Sequence, residues 1–221
     1  MQHDQDVQIE VERKYHFPDE GVFKKIEALL PCIEMDLGYE CDVLDGIRQV
    51  DTYYDTDHRT LESGDCILRT RRAGDVCEIT IKKPIMESNM GQSERFEIQR
   101  NIDVDSLDGN EGFIGSHLDF IDPASLKRTL TVENNRLPVN LVKGDVRFEM
   151  VFDKVTYIMD GHIARDCQLE IELKSDHSHK ANLKEITEYL EREMPELTVS
   201  RDSKYKRGLR MIQKALEVDS C

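Results

Sequence analysis

Two glutamates and one lysine occupy alternate positions near the N-terminus of this sequence. Glu10, Glu12 and Lys14 lie in the run 7–15, where valine and isoleucine fill the intervening positions up to residue 11. This alternation is typical of a β-strand, whose side chains point to opposite faces in turn. The two carboxylates and the amine therefore share one face. Carboxylates clustered beside an amine could bind a metal ion together with a polyanion.

The same arrangement recurs towards the other end of the chain. Glu170, Glu172 and Lys174 share one face of a strand predicted over 164–174, with leucine and isoleucine on the reverse. Several predicted strands between these two also carry an apolar face and a face of mixed charge. The charged residues that share a face on these strands are Arg69 with Arg71, Glu78 with Lys82, Arg95 with Glu97, and Arg147 with Glu149 and Asp153.

This mixture of charges suits the chemistry of phosphate and hard metal ions. Magnesium and manganese prefer oxygen ligands, arginine forks match phosphate oxygens, and lysine adds a point charge. Phosphoryl transfer needs mainly positioning and charge neutralisation. An ordinary antiparallel sheet with its charged face in water would show the same alternation. If instead helices such as 22–30 and 183–190 cover the apolar faces, the charges line a tunnel.

The remaining elements predict an antiparallel α+β protein. A helix begins near Pro18 and is expected to end at Pro31, and further helices are expected over 177–193 and 203–216, with one or two short ones within 103–123. The other predicted strands are 47–55, 66–72, 76–83, 93–100, 127–133, 146–154 and 155–160. About eight strands with helices at either end predict one domain over 1–221, with a core of about 7–210, which could close into a barrel.

Composition excludes several classes of function. The net charge of −15 argues against general binding of nucleic acid or anionic membranes. No apolar run is long enough to span a membrane, and the first residues lack the features of a signal peptide. The six cysteines form no C-x-x-C pair, which favours reduced thiols over zinc ligation and predicts a cytoplasmic protein. We expect a monomer or a homodimer.

The order of the charged motifs resembles that of the CYTH superfamily, the triphosphate tunnel metalloenzymes. Members include inorganic triphosphatases, thiamine triphosphatases and class IV adenylyl cyclases. The resemblance extends from Glu10 to about Arg207, and it implies an eight-stranded antiparallel β-barrel with flanking helices. The motifs in chain order are E-x-E-x-K ending at Lys14, R-x-R at Arg69 and Arg71, Lys82, R-x-E at Arg95 and Glu97, Arg128, Asp153, E-x-E at Glu170 and Glu172, and Ser203-Lys204.

The resemblance also implies roles for these residues. Lys204 would act near the scissile phosphate, and the catalytic set would be Glu10, Glu12, Glu172 and Lys204. The ligands of Mg²⁺ or Mn²⁺ would be Glu10, Glu12, Glu97, Asp153, Glu170 and Glu172. The residues that hold the triphosphate would be Lys14, Arg69, Arg71, Lys82, Arg95, Arg128 and Lys204.

The substrate remains open between three small-molecule triphosphates. Cyclase members carry a His-Phe pair ahead of E-x-E-x-K, whereas His3 is followed here by Asp4. Thiamine triphosphate would require an aromatic or apolar clamp, and the chain has no tryptophan, although Tyr53, Tyr54 or a methionine could stack. We therefore expect inorganic tripolyphosphate first and thiamine triphosphate second. Adenylyl cyclase activity, or a module that binds polyphosphate without chemistry, are the alternatives.

Overall fold

The chain closes most of its strands into one barrel. The computed structural model of the protein describes residues 6–85 and 93–219, so His3 and Asp4 lie outside the described residues. The strands are β1 (Asp6–Phe17), β2 (Glu40–Val43), β3 (Ile47–Asp55), β4 (Ile67–Ala73), β5 (Val76–Pro84), β6 (Ser93–Ile102), β7 (Lys127–Lys143), β8 (Val146–Met159), β9 (His162–Leu173) and β10 (Thr198–Ser200).

Eight of these described strands form the closed antiparallel barrel, in the order β1-β6-β5-β4-β3-β7-β8-β9 and back to β1. The short strand β2 extends the barrel by pairing with β7, and β10 pairs with β1. The predicted α+β class and eight-stranded barrel are therefore confirmed. Because β1 pairs with β6 on one side and with β9 on the other, the charged faces of β1 and β9 lie side by side.

The helices cover the outside of the barrel and one of its ends. They are α1 (Gly21–Leu37), α2 (Thr60–Ser63), α3 (Glu111–His117), α4 (Lys180–Glu193) and α5 (Lys204–Asp219). The prediction that α1 ends at Pro31 is wrong, since the helix continues to Leu37. Ile26, Leu30 and Ile33 are buried along one stripe of α1, and this packing outweighs the hydrogen bond that proline cannot donate.

The outer faces of the strands carry the apolar core. One cluster packs α1 and α4 against β1, β7, β8 and β9, and it includes the buried residues Phe148, Phe152 and Ile171. A second cluster packs α2 and α3 against β3 to β6, with Ile79 and Ile81 fully buried. Helices thus take up the apolar faces, and the opposite faces are left for the interior of the barrel.

Strand β7 continues past the predicted end at Glu133 to Lys143, and it includes Pro138. The carbonyl of Pro138 accepts a hydrogen bond from the Leu44 amide, so the missing N–H of the proline faces the same side. This side is the gap between β2 and β3, where pairing with β7 passes from Val43 to Ile47. The proline therefore removes no bond of the sheet ladder.

The end of the barrel next to α5 is filled by apolar side chains. Tyr205, Leu209 and Ile212 of α5 pack against residues that include Tyr157 and Leu130 on β8 and β7. Tyr157 lies on the same face of β8 as Asp153, by the alternation of the strand. Helix α5 therefore closes one end of the interior, and the charged residues occupy the rest.

Gly208 allows α5 to approach the strands closely. A Cβ atom at this position would lie 2.5 Å from Cδ1 of Tyr157 and 2.7 Å from Cδ2 of Leu130. We expect Gly208→Ala to lower the free energy of unfolding by about 1–3 kcal/mol, through overpacking. Urea denaturation of the variant tests this, with Gly112→Ala in α3 as control, because a Cβ there meets nothing within 4 Å. Equal stability of Gly208→Ala and the wild type would contradict the close packing of α5.

Two further observations concern the described part of the chain. None of its helices is long and apolar enough to cross a lipid bilayer. Its five cysteines are all free.

Candidate active site

The interior of the barrel contains a cavity of about 200 Å³ with a strongly charged lining. Among the described residues, eight cationic and seven anionic side chains line it. The cationic residues are Lys14, Arg69, Arg71, Lys82, Arg95, Arg136, Lys174 and Lys204. The anionic residues are Glu10, Glu12, Glu78, Glu97, Glu149, Glu170 and Glu172. Strands from the whole circumference of the barrel contribute, so the fold gathers residues that are far apart in the sequence.

Lys204 lies at the α5 end of the cavity between two carboxylates. Its Nζ is 2.6 Å from Oε1 of Glu170 and 2.8 Å from Oδ2 of Asp153. Arg136 joins the same carboxylates, with Nε 2.8 Å from Oδ1 of Asp153 and Nη2 3.1 Å from Oε2 of Glu170. Asp153 is fully buried behind the lining. Two cations from β7 and α5 are thus held by two anions from β8 and β9.

Glu12 faces Glu172 directly across the β1–β9 ladder, and Glu149 faces Glu172 across the next pair. Three carboxylates therefore form a row across three neighbouring strands. Like charges placed opposite each other destabilise a sheet unless cations compensate them. Lys14 Nζ lies 2.6 Å from Oε1 of Glu12, and Lys174 Nζ lies 2.7 Å from Oε2 of Glu172.

A third group surrounds Lys82 on β5. Its Nζ donates to both carboxylate oxygens of Glu10, at 2.6 Å and 2.7 Å, and lies 3.2 Å from Oε2 of Glu97. Arg69 Nη2 approaches the other oxygen of Glu97 at 3.9 Å. The E-x-E pair of β1 is therefore divided: Glu10 is paired with Lys82, and Glu12 with Lys14.

The two arginines of R-x-R share one buried counter-ion, Asp51, which is not among the predicted site residues. Asp51 on β3 accepts from Arg71 Nε and Nη2 at 2.7 Å and 2.8 Å, and from Arg69 Nη1 at 3.1 Å. Asp51 is fully buried, and the two guanidinium groups hold its pKa well below the usual value against the effect of burial. The carboxylate orients both arginines towards the cavity.

We expect Asp51→Asn to destabilise the protein by about 3 kcal/mol, since removing one partner of a buried ion pair leaves uncompensated charge. Denaturation in urea near neutral pH measures the loss. The matched control is Glu133→Gln, whose partner Arg48 lies at 3.3 Å in an exposed pair, worth less than about 1 kcal/mol. If both variants unfold at the wild-type urea concentration, Asp51 does not anchor the arginines.

The pKa values of the four E-x-E glutamates are driven apart. Burial raises the pKa of Glu12, and with the charge of Glu10 it outweighs Lys14, giving about 7. Burial also raises the pKa of Glu172, only partly offset by Lys174. In Glu10 the effect of burial is outweighed by Lys82 and Lys14, and the pKa falls to about 2. Burial of Glu170 is likewise outweighed, chiefly by Lys204, and its pKa lies well below the usual range.

The structure does not bring Arg128 to the cavity. Tyr53 pairs with Leu130, but Tyr54 pairs with Arg128, so Thr129 is the extra residue of a β-bulge. A bulge inverts the alternation of faces. Since Tyr54 packs in the outer core, its partner Arg128 lies on the outer face, where it is exposed. The arginine that β7 contributes to the lining is Arg136, which is not among the predicted site residues.

The other predicted site residues reach the cavity or its immediate surroundings. Glu10, Glu12, Lys14, Arg69, Arg71, Lys82, Arg95, Glu97, Glu170, Glu172 and Lys204 all line it. Asp153 lies directly beneath Lys204 and Arg136, and Arg95 is also held from outside the lining by Asp65. The two tyrosines considered for stacking are not free to clamp a ring: Tyr53 stacks on Tyr205 at 5.2 Å, and Tyr54 belongs to the outer core.

The donor set fits a hard divalent cation, although the side chains do not converge as they stand. Within 6–85 and 93–219, no three carboxylate, histidine or cysteine groups are close enough to coordinate a metal. However, Oε1 of Glu12 and Oδ2 of Asp153 are buried without a hydrogen bond of proper geometry. The row of Glu12, Glu172 and Glu149 supplies only oxygen ligands, which Mg²⁺ and Mn²⁺ prefer. The predicted ligand roles stay predictions.

Comparison with known proteins finds one matching domain family and several similar structures. The CYTH domain family matches residues 8–209. A protein from Pyrococcus horikoshii has a similar structure, with a TM-score of 0.59 and 19% identity over 91% of this chain and 98% of that chain. A Hippeastrum protein, described as an adenylyl cyclase candidate with a dominant triphosphatase activity, has a TM-score of 0.55 and 17% identity over 89% and 93%. At these identities the likeness shows the fold. No curated protein matches significantly.

Proposed function

This chain belongs to the CYTH domain family, and we propose that it hydrolyses the terminal phosphate of a linear triphosphate with the help of Mg²⁺ or Mn²⁺. The observation that carries the proposal is the composition of the cavity lining, with eight cations against seven carboxylates among the described residues. A site for an anion alone gains nothing from so many carboxylates. A site for an anion together with divalent cations requires both signs of charge.

The present ion pairs support an exchange of partners when substrate binds. Lys82 is neutralised by Glu10, and Lys14 by Glu12. On binding, these lysines would turn to phosphate oxygens, and the carboxylates would be left for a divalent cation. Bound Mg²⁺ or Mn²⁺ would supply neutralisation of the phosphate charge. The desolvation penalty of the buried charges is then offset by substrate and metal together.

The residues of the chain itself would bind the phosphate groups and fix the position of the terminal one. Asp51 already orients Arg69 and Arg71 through hydrogen bonds. Both guanidinium groups would therefore bind phosphate oxygens in bidentate fashion. Lys204 would place its ammonium group at the end of the cavity that α5 closes. Since the interior is filled beyond this point, the terminal phosphate would lie there, next to Lys204 and Arg136.

The substrate we favour is inorganic tripolyphosphate. The cavity is about 200 Å³, and its described lining contains only two side chains with large apolar surfaces, Tyr53 and Ile67. Tyr53 is already stacked on Tyr205. A thiazole or purine ring would therefore find no aromatic clamp among the residues that line the cavity.

The deciding experiment is phosphate release from tripolyphosphate, thiamine triphosphate and ATP, each with Mg²⁺, Mn²⁺ or EDTA. We expect metal-dependent release, fastest from tripolyphosphate. Formation of cyclic AMP from ATP would instead support the cyclase alternative. Thermal stabilisation by tripolyphosphate without release of phosphate would indicate a binding module.

Metal affinity should depend on pH through Glu12. Because the pKa of this carboxyl is raised to about 7, a metal ion must displace its proton at lower pH. We expect the apparent association constant for Mn²⁺ to rise by up to about tenfold per pH unit below pH 7 and to level off above it. Titration calorimetry in two buffers of different ionisation enthalpy measures both the affinity and the proton release. Constant affinity from about pH 5.5 to 8, with no proton release, would contradict this reading.

A further inference from the structure

One aspartate outside the cavity lining forms ion pairs with two cations that belong to different parts of the site. Asp65 lies between α2 and β4. Its Oδ2 accepts from Nη2 of Arg95 at 3.0 Å, and its Oδ1 accepts from Nζ of Lys206 at 2.6 Å. Its carbonyl oxygen also accepts from Nη1 of Arg95 at 3.2 Å. Arg95 lines the cavity, whereas Lys206 lies in the first turn of α5.

The backbone of Asp65 adopts an unfavourable conformation, in which both its carbonyl and its carboxylate contact Arg95. Its φ of 55° lies in the left-handed region, which residues other than glycine rarely adopt. The amide of Asp65 bonds to the carbonyl of Glu62, and the next amide, of Cys66, bonds to the carbonyl of Leu61. These bonds fix the turn after α2. In this turn the carbonyl and the carboxylate of Asp65 both reach the same arginine, and such strain persists where the surroundings determine it.

The first turn of α5 needs external anions. It carries Lys204, Lys206 and Arg207, although cations are unfavourable at the positive end of a helix dipole. Each of the three has a carboxylate partner from another element. The partners are Glu170 for Lys204, Asp65 for Lys206 and Asp166 for Arg207. Of these three partners, Asp65 is the one that also pairs with Arg95 of the cavity wall.

We propose that Asp65 is a positioning residue of the active site, which sets Arg95 in the cavity wall and anchors the first turn of α5 so that Lys204 stays against Glu170. The inference rests on the proposed function for its kinetic consequences. Asp65 acts through Arg95 and Lys204 and does not touch the substrate. A single carboxylate thereby couples a phosphate-binding arginine to the lysine at the end of the cavity.

The kinetic test compares three variants with tripolyphosphate as substrate. Asp65→Asn removes the charge but tolerates the left-handed backbone, and Asp65→Gly removes the side chain and relieves the strain. In both, we expect KM to rise about tenfold, since a charge-assisted bond to Arg95 is lost, and kcat to fall. Lys206→Ala loses only the anchor of α5, so kcat should fall while KM stays within about twofold.

A second readout does not depend on activity. Competitive acetylation followed by mass spectrometry reports how accessible each lysine is. Lys204, which is 7% exposed, should be labelled at least about fivefold faster in Asp65→Asn than in the wild type. The matched control is Asp57→Asn, which removes the partner of Lys127 in an exposed pair at 2.6 Å. This control should leave the labelling of Lys204 and both kinetic constants unchanged.

The two readouts separate the inference from the proposed function. If the wild-type protein releases no phosphate from tripolyphosphate but Asp65→Asn exposes Lys204 to acetylation, the proposed function fails and the anchoring role stands. Unchanged labelling of Lys204 in both Asp65 variants overturns the anchor. A KM that is unchanged or lower in these variants overturns the positioning of Arg95, since it would mean that Asp65 only competes with substrate for the guanidinium group.

Discussion

Glu12→Gln is expected to abolish metal-dependent phosphate release and at the same time to stabilise the metal-free protein above neutral pH. Glu12 is 2% exposed, and its carboxylate belongs to the row with Glu172 and Glu149. Loss of a ligand from a divalent metal site removes several kcal/mol of charge stabilisation, so turnover should fall by at least about 1000-fold.

The stability effect has the opposite sign because the pKa of Glu12 is raised from 4.5 to about 7 in the folded protein. The folded state thus binds this proton more tightly than the unfolded chain does. Its stabilising effect is complete below pH 4.5 and is lost as the pH rises to about 7. Glutamine resembles the protonated form, so the variant should be more stable by about 2–3 kcal/mol at slightly alkaline pH, with the difference vanishing in acid.

Scanning calorimetry of the metal-free proteins at several pH values measures this, alongside phosphate release. Glu133→Gln on the outer side of β7 is the control, with no expected change in either measurement. A Glu12→Gln protein that releases phosphate at near the wild-type rate would rule out the metal-binding role. A stability gain that does not vary with pH would show that the effect comes from packing and not from the proton.

The alternation of residues predicted much of the site because strand faces are a local property. Glu10, Glu12 and Lys14 share a face whatever lies opposite, and the same holds for Glu170 and Glu172. Eight strands with apolar faces covered by helices then leave only the interior for these charges. Closure of the barrel brings the two E-x-E motifs, which are far apart in the sequence, onto neighbouring strands, where Glu12 pairs with Glu172.

Alternation failed where the backbone departed from regularity. The bulge at Thr129 sends Arg128 outward, and no residue type around it signals the extra residue. Arg136 was missed because the predicted strand ends at Glu133, before two asparagines, which are depleted in strands, whereas β7 continues to Lys143. The helix over Pro31 illustrates the same limit, since tertiary packing of Ile33 decides an outcome that local propensity predicts otherwise.

The counter-ions that position the site could not be predicted from spacing at all. Asp51 lies 18 and 20 residues from the arginines that it holds, and Asp65 lies 141 residues from Lys206. Their partners follow from the closure of the barrel and the docking of α5. A charged residue on a strand face indicates where it points, but not which distant charge neutralises it.

Lys204 both anchors α5 to the barrel and contributes to the proposed reaction. Its replacement should therefore lower both the stability of the protein and kcat. Lys204→Ala leaves Arg136 as the cation shared by Glu170 and Asp153, with Lys14 Nζ 3.6 Å from Oε1 of Glu170. The variant should lose stability, because two buried carboxylates lose a shared partner. It should also lose at least about 100-fold in kcat, the usual effect of removing a preorganised group that stabilises developing charge.

Lys204→Arg separates these two effects. Arginine keeps the positive charge, but its planar guanidinium group cannot take the place of a compact ammonium group at 2.6 Å and 2.8 Å from two carboxylates. Because the charge that neutralises Glu170 and Asp153 is kept, we expect near wild-type unfolding in urea. Because the position of that charge changes, we expect kcat to fall about as much as in Lys204→Ala. Lys214→Ala, on the exposed side of the same helix, should change neither quantity. Wild-type kcat in Lys204→Arg would mean that charge alone is required at this end of the cavity, and that the position of the ammonium group set by α5 is not.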